Sequence, residues 1–93
     1  MSNGIITFKI MPESPDSNCE TIKEQALKIA KDHGSKGEMQ AKIEPLAFGL
    51  QQILIYAMYE MNDGKDFDEI KDDMAKIEDV STVEIINMDL AMG

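Results

Sequence analysis

The chain of 93 residues contains no arginine, one cysteine, one histidine and no long apolar run. Each scarcity closes off a class of chemistry. Without arginine there is no planar fork to grip a phosphate or carboxylate in bidentate fashion. Cys19, standing alone, forms neither an internal disulfide nor a multi-thiolate metal site. The longest apolar run, Ile53 to Tyr59, is far too short to span a bilayer. Met1-Ser2-Asn3-Gly4 has no basic region and no cleavable apolar segment behind it. A cytoplasmic protein is the expectation. Positive charge is also scarce: nine lysines against eighteen acids leave a net charge of −9. That balance opposes nonspecific binding to nucleic acid or to an anionic membrane.

What is present is patterned for folding. The apolar share of 43% argues against disorder, and the length suits one domain over 1–93. Ile5 to Met11 alternates as a strand, with Ile6, Phe8 and Ile10 on one face and Thr7 and Lys9 on the other. Pro12 and Pro15 stop it. Ser17 with Glu20 forms a capping-box pattern. A helical stripe of Cys19, Ile22, Ala26, Ile29, Ala30 and His33 follows and runs to a stop at Gly34. Gly34 to Gly37 reads as a loop. Met39 to Ile43 reads as a shorter, more polar edge strand. Gln52 to Tyr59 is apolar on both faces, as a central strand should be. Asp66 opens a second helix whose stripe is Phe67, Ile70, Met74 and Ile77, ending near Glu78-Asp79. Val80, Val83, Ile85, Ile86 and Met88 make a last strand, with Asp89 to Gly93 as a tail. The order β-α-β-β-α-β predicts an α+β two-layer sandwich, an antiparallel four-stranded sheet with both helices on one face. This is the ferredoxin-like arrangement, and it leaves function open.

One stretch stands out from this frame. Glu44-Pro45-Leu46-Ala47-Phe48-Gly49-Leu50 joins two strands, yet it is nearly all apolar where loop tips are usually polar. Two readings stand side by side. Leu46, Phe48 and Leu50 alternate as a buried strand would. Alternatively, Pro45 and Gly49 stiffen and turn the connection so that Phe48 points out toward a partner's pocket. The acids pose a similar choice. Residues 60–79 hold nine acids and three lysines, which is −6 of the −9. They form either a solvated helix face or a patch that steers the chain toward a basic partner.

Catalytic and metal-binding constellations are missing. His33 falls at a helix end, where a cation interacts well with the dipole. Cys19 lies on an apolar stripe, and no third group completes a Cys–His pair. Asp72-Asp73 and Glu78-Asp79 are sequence neighbours that do not face one another, so they chelate poorly. An acyl-phosphate hydrolase of this fold needs an arginine, and a metal chaperone needs paired cysteines. An RNA-recognition sheet needs aromatics in a basic frame, whereas Tyr56 and Tyr59 take opposite faces. A binding module, not an enzyme, is what survives, with no cofactor.

Met11-Pro12-Glu13-Ser14-Pro15-Asp16, the Glu44 to Leu50 connection and Val80-Ser81-Thr82-Val83-Glu84 together resemble the archaeal form of translation elongation factor 1-beta. The resemblance covers essentially the whole chain. It implies a guanine nucleotide exchange factor that promotes GDP release and GTP reloading on the elongation factor 1-alpha GTPase, a monomer when free. It also implies a partner-binding set. Pro45, Leu46, Phe48 and Gly49 correspond to an apolar contact loop with Phe48 as anchor. Met88, Asp89, Leu90 and Met92 correspond to a C-terminal contact. The chain departs from its eukaryotic relatives there. They carry a lysine near the terminus that reaches toward the magnesium site, and the last lysine here is Lys76. Asp89 is the candidate substitute, its ordinary reading being a solvated carboxylate beyond the last strand. The alternative function is a ferredoxin-like small-molecule-binding or regulatory module that self-associates through an edge strand. It predicts a Phe48 packed in a core or in a dimer seam, whereas a contact loop predicts a mostly exposed ring at a tip.

Overall fold

A computed structural model of the chain describes residues 2–61 and 67–90. Four strands and two α-helices alternate as β1 (Ser2–Pro12), α1 (Cys19–Asp32), β2 (Lys36–Pro45), β3 (Gln51–Met61), α2 (Phe67–Ala75) and β4 (Val80–Leu90). The strands form one antiparallel sheet in the order β2-β3-β1-β4. Each helix follows one strand and returns the chain to the far side of a neighbour. Both lie on the same face, and the ferredoxin-like expectation holds.

The alternation in β1 explains the layering. Ile6, Phe8 and Ile10 are fully buried, and β3 sets Ile55 opposite Phe8 and Ile53 opposite Ile10. Ile53, Ile55, Ala57 and Tyr59 share that face, and Cys19, Ile22, Ala26 and Ala30 of α1 pack onto it with Ile70 and Met74 of α2. Burying a large aliphatic or aromatic side chain contributes about 1.5–3 kcal/mol, so this layer dominates the stability of so small a domain. Tyr59 brings a hydroxyl into it and donates to the Ala30 carbonyl at 2.9 Å, inside the last turns of α1. Burial pushes that phenol well above its ordinary pKa, so it stays a donor. Its ring also tilts against Phe67, with centroids 5.5 Å apart.

Several local expectations change. The cap of α1 is Asn18, not Ser17: its Oδ1 accepts from the Thr21 N–H at 3.2 Å. Ser17 instead bonds to Ser14 within the preceding turn. The loop ends sooner, because β2 starts at Lys36. An irregularity between Lys36 and Gln40 separates this end from the regular pairing. Helix α2 stops at Ala75, and Ile77 is buried from a turn rather than from the helix. Asp66 lies outside the described residues. Asp89 and Leu90 are not a tail beyond the sheet: they pair with Ile5 and Gly4. A bulge sits between the Thr7 and Phe8 pairings of β4 and leaves Ile86 without a partner on β1. That extra residue explains why the apolar positions of β4 change parity between Ile85 and Ile86.

His33 has a tertiary role beyond any helix-end effect. Its Nε2 donates to Asp73 Oδ2 at 2.7 Å and so joins the end of α1 to α2. This bond, aided by Lys76, holds the Asp73 carboxyl below its usual range.

The buried hydroxyl gives a direct stability test. Tyr59→Phe should lower unfolding free energy in urea by about 1 kcal/mol, since the Ala30 carbonyl keeps the Ser35 N–H. Tyr59→Ala should cost about 3–5 kcal/mol. Equal losses for the two would mean that the ring adds nothing to the core.

Candidate functional site

Antiparallel pairing carries β2 and β3 to a common end, where Pro45 stands opposite Gln51. The five residues between them close the hairpin. The Leu46 N–H donates to the Leu50 carbonyl at 2.7 Å, and the Leu50 N–H donates to the Ala47 carbonyl at 3.3 Å. Inside this loop Phe48 has φ 63° and ψ 29°, and Gly49 has φ 76°. Two consecutive positive φ values are the signature of a type I′ turn, the kind whose twist matches the flanking strands. Asn-Gly or Asp-Gly normally fills it. Here a bulky aromatic takes the first position, which costs roughly 1–2 kcal/mol relative to a right-handed conformation.

That cost secures no burial. Phe48 is 96% exposed, and Leu46 and Leu50 on either side are 37% exposed. The buried-strand reading of Leu46, Phe48 and Leu50 is therefore overturned. The chain turns at this point, so alternation along it no longer reports a sheet face. Among the described residues, three of the four exposed large hydrophobic side chains lie in this one loop, the fourth being Ile86.

The base of the turn is braced. Gln52 Nε2 donates to Glu44 Oε1 at 2.9 Å across the strand pair, and Lys42 Nζ approaches the other carboxylate oxygen at 3.3 Å. The bond from Gln52, and then that from Lys42, hold the Glu44 carboxyl below its usual range. On the helix side, the Cys19 thiol donates to Gln51 Oε1 at 3.3 Å. Burial first, and then the neighbouring Glu20, push that thiol above its ordinary pKa, so it is a structural donor rather than a nucleophile. Sequence reasoning gave Glu44, Gln51, Gln52 and Cys19 no such role. The pairing of Glu44 with Gln52 follows from strand register, which the sequence does not spell out. The positive φ of Phe48 had one visible signal, its place before Gly49 between two strands.

The expected partner-binding residues fall into two separate groups. Pro45, Leu46, Phe48 and Gly49 gather at the tip. Met88, Asp89 and Leu90 lie at the other end of the sheet, opposite Ile6, Ile5 and Gly4. From the Gly4 pair to Pro12, which is level with the base of the tip, β1 runs eight residues, roughly 26 Å at strand spacing. Met92 lies outside the described residues.

Other surfaces offer less. The open sheet face has a shallow hollow of about 260 Å³ lined by Ile5, Gln40, Tyr56, Ala57 and Met58. Among the described residues, no charged side chain lines it. Among the described residues, no group of three or more His, Cys, Asp or Glu side chains is placed to hold a metal ion.

The family described as the EF-1 guanine nucleotide exchange domain matches residues 5–90 of this chain. Elongation factor 1-beta of Methanococcus vannielii is 34% identical over 90 residues, covering 97% of this chain and 99% of the relative. The protein of that name from Nanoarchaeum equitans is 31% identical over 79 residues, covering 85% and 94%. That from Pyrococcus horikoshii is 28% identical over 83 residues, covering 89% of each.

The strain at the tip is measurable apart from any partner. Phe48→Asn places a residue that tolerates the left-handed region where the ring contributes no burial. It should raise the urea unfolding free energy by about 0.5–1 kcal/mol. A lower midpoint in urea would show that the ring supports the fold after all.

Proposed function

Because this chain belongs to the EF-1 guanine nucleotide exchange domain family, we propose that it promotes GDP release and GTP reloading on elongation factor 1-alpha, gripping that GTPase with the hairpin tip from Pro45 to Gly49. The observation that carries the choice of site is the exposure of Phe48 on a braced, strained turn. An aromatic ring presented in this way matches the residue type and geometry of interface anchors. Stiffness matters as well, since a side chain held in its bound pose loses less freedom on docking.

Exchange of this kind is linkage rather than bond chemistry. A factor that binds the nucleotide-free GTPase more tightly than the GDP form weakens GDP by the same factor. GDP is held by contacts to its phosphates and magnesium, so the bound factor must favour a GTPase conformation in which those contacts are loosened. The chain needs no nucleophile, base or cofactor of its own for this.

A second contact zone fits the end of β4, with Met88, Asp89 and Leu90, and Met92 beyond it. Its separation from the tip means that one GTPase would be held at two distant places. In this reading Asp89 belongs to a paired strand rather than a free tail, which fixes where its backbone can reach. The protein works as one domain over 1–93, monomeric when free, in the cytoplasm where translation proceeds. A self-associating regulatory module predicts Phe48 in a core or in a dimer seam, and the exposed ring argues against the first of these.

Release of a fluorescent GDP analogue from elongation factor 1-alpha tests the proposal. The wild-type chain should accelerate release. Phe48→Ala should reduce that acceleration by about 30-fold or more at subsaturating concentration, the loss of an anchor worth at least about 2 kcal/mol, with an unchanged circular dichroism spectrum. Full activity in a folded Phe48→Ala variant would move the site to the β4 end. No acceleration by the wild-type chain would remove the exchange function.

A further inference from the structure

The tip does not stand alone at its end of the sheet. The antiparallel order brings two more connections there: the Glu13–Ser17 segment after β1 and the Lys76–Asp79 turn before β4, where Pro12 pairs with Val80. They are tied directly, the Glu13 N–H donating to the Asp79 carbonyl at 2.8 Å. Together they carry Glu13, Asp16, Glu78 and Asp79, all exposed. Lysines near this end are already engaged: Lys23 with Glu20, Lys42 with Glu44 and Lys76 with Asp73. Among the described residues, no lysine or histidine forms an ion pair with any of the four carboxylates.

The acid-rich stretch seen in the sequence is therefore divided by the fold. Asp68, Glu69 and Asp72 ride on α2, while Glu78 and Asp79 join acids from a distant part of the chain beside the tip. Neighbouring strands stand about 4.8 Å apart, so the ends of β1 and β4 lie roughly 5–10 Å across from that of β3. This is within about one Debye length at 0.1 M salt. Like charges gathered at one end repel one another. Asp79 has a backbone reason for its place, a φ of 71° in the left-handed region that Asp tolerates, whereas no ion pair accounts for Glu13, Asp16 or Glu78.

We propose that the surface received by this tip is an apolar socket with basic side chains along one flank, so that Phe48 holds the complex while Glu13, Asp16, Glu78 and Asp79 orient and speed the encounter. This deepens, and rests on, the reading of the tip as the GTPase contact. The division of labour follows from physics. Exposed charges at the border of an interface act on the association rate and its salt dependence, whereas a buried anchor acts on dissociation.

Stopped-flow binding to nucleotide-free elongation factor 1-alpha, from low to high sodium chloride, separates the two. The tip triple variant combines Glu13→Gln, Asp16→Asn and Glu78→Gln. The control triple, of equal charge change, combines Asp32→Asn, Glu69→Gln and Asp72→Asn, exposed positions away from the tip. Urea unfolding confirms that each folds. The tip triple should lower the association rate constant about tenfold at low salt and flatten its salt dependence, while the control changes it by less than about twofold. Phe48→Ala should mainly raise the dissociation rate. Equal slowing by both triples would mean that net charge alone steers, and it would overturn the basic flank. An unslowed tip triple beside a faster-dissociating Phe48→Ala would remove the flank but keep the tip. An unchanged dissociation rate in Phe48→Ala would remove the tip reading and this proposal with it.

Discussion

Everything at the hairpin-tip end depends on the antiparallel pairing of β1 with β3. These are the two inner strands of the sheet, and their register buries Ile6, Phe8 and Ile10 beside Ile53, Ile55, Ala57 and Tyr59 under both helices. A slip of one residue would turn that whole set to the open face, so the register is strongly specified. Since β3 is held, its first residue, Gln51, is held too, and so is the level at which β2 must turn. The position of the tip is thus a consequence of core packing several residues away. The helix layer adds a second fixing point through the Cys19–Gln51 bond.

Much of this was legible from periodicity. Ile6, Phe8 and Ile10 announced a half-buried strand, the 52–59 stretch announced an inner one, and two stripes announced helices over one face. The order of these elements restricted the topology, and the polar composition of 39–43 marked the edge. What periodicity does not carry is the competition between neighbouring caps. Ser17 and Asn18 are both good N-cap residues, and only the path out of the Ser14–Ser17 turn decides for Asn18. Nor does it carry bulges: Ile85 and Ile86 look contradictory in a flat strand and become consistent only with an extra residue between the pairings.

The tip illustrates the same limit at the candidate site. Leu46, Phe48 and Leu50 satisfy a strand pattern by spacing alone, and spacing cannot tell an alternation in a sheet from one across a turn. The left-handed conformation of Phe48 is a property of the closed hairpin, set by the cross-strand bonds of Leu46 and Leu50. The family resemblance favoured the exposed ring, and the geometry supplies the physical reason for it. The separation between the tip and the β4 end was likewise invisible in a list of candidate residues. It depends on strand direction, which runs β4 away from the turn.

An exposed apolar ring is a hazard to a free protein, because it offers a site for nonspecific association. Several features confine that hazard. The apolar patch is short, ends abruptly in Glu44 and Gln51, and is carried by a molecule of net charge −9. Like copies of the chain therefore repel one another as they approach, most strongly where the four carboxylates stand beside the tip. The same charge that discourages self-contact would favour a basic surface, so one arrangement of acids can act against the wrong partner and for the right one. Strain at Phe48 fits this logic. A relaxed Asn-Gly turn would serve the fold better, and an aromatic side chain there lowers stability without serving the core. Its retention is understandable if the ring's contribution is made in a complex and not in the free chain.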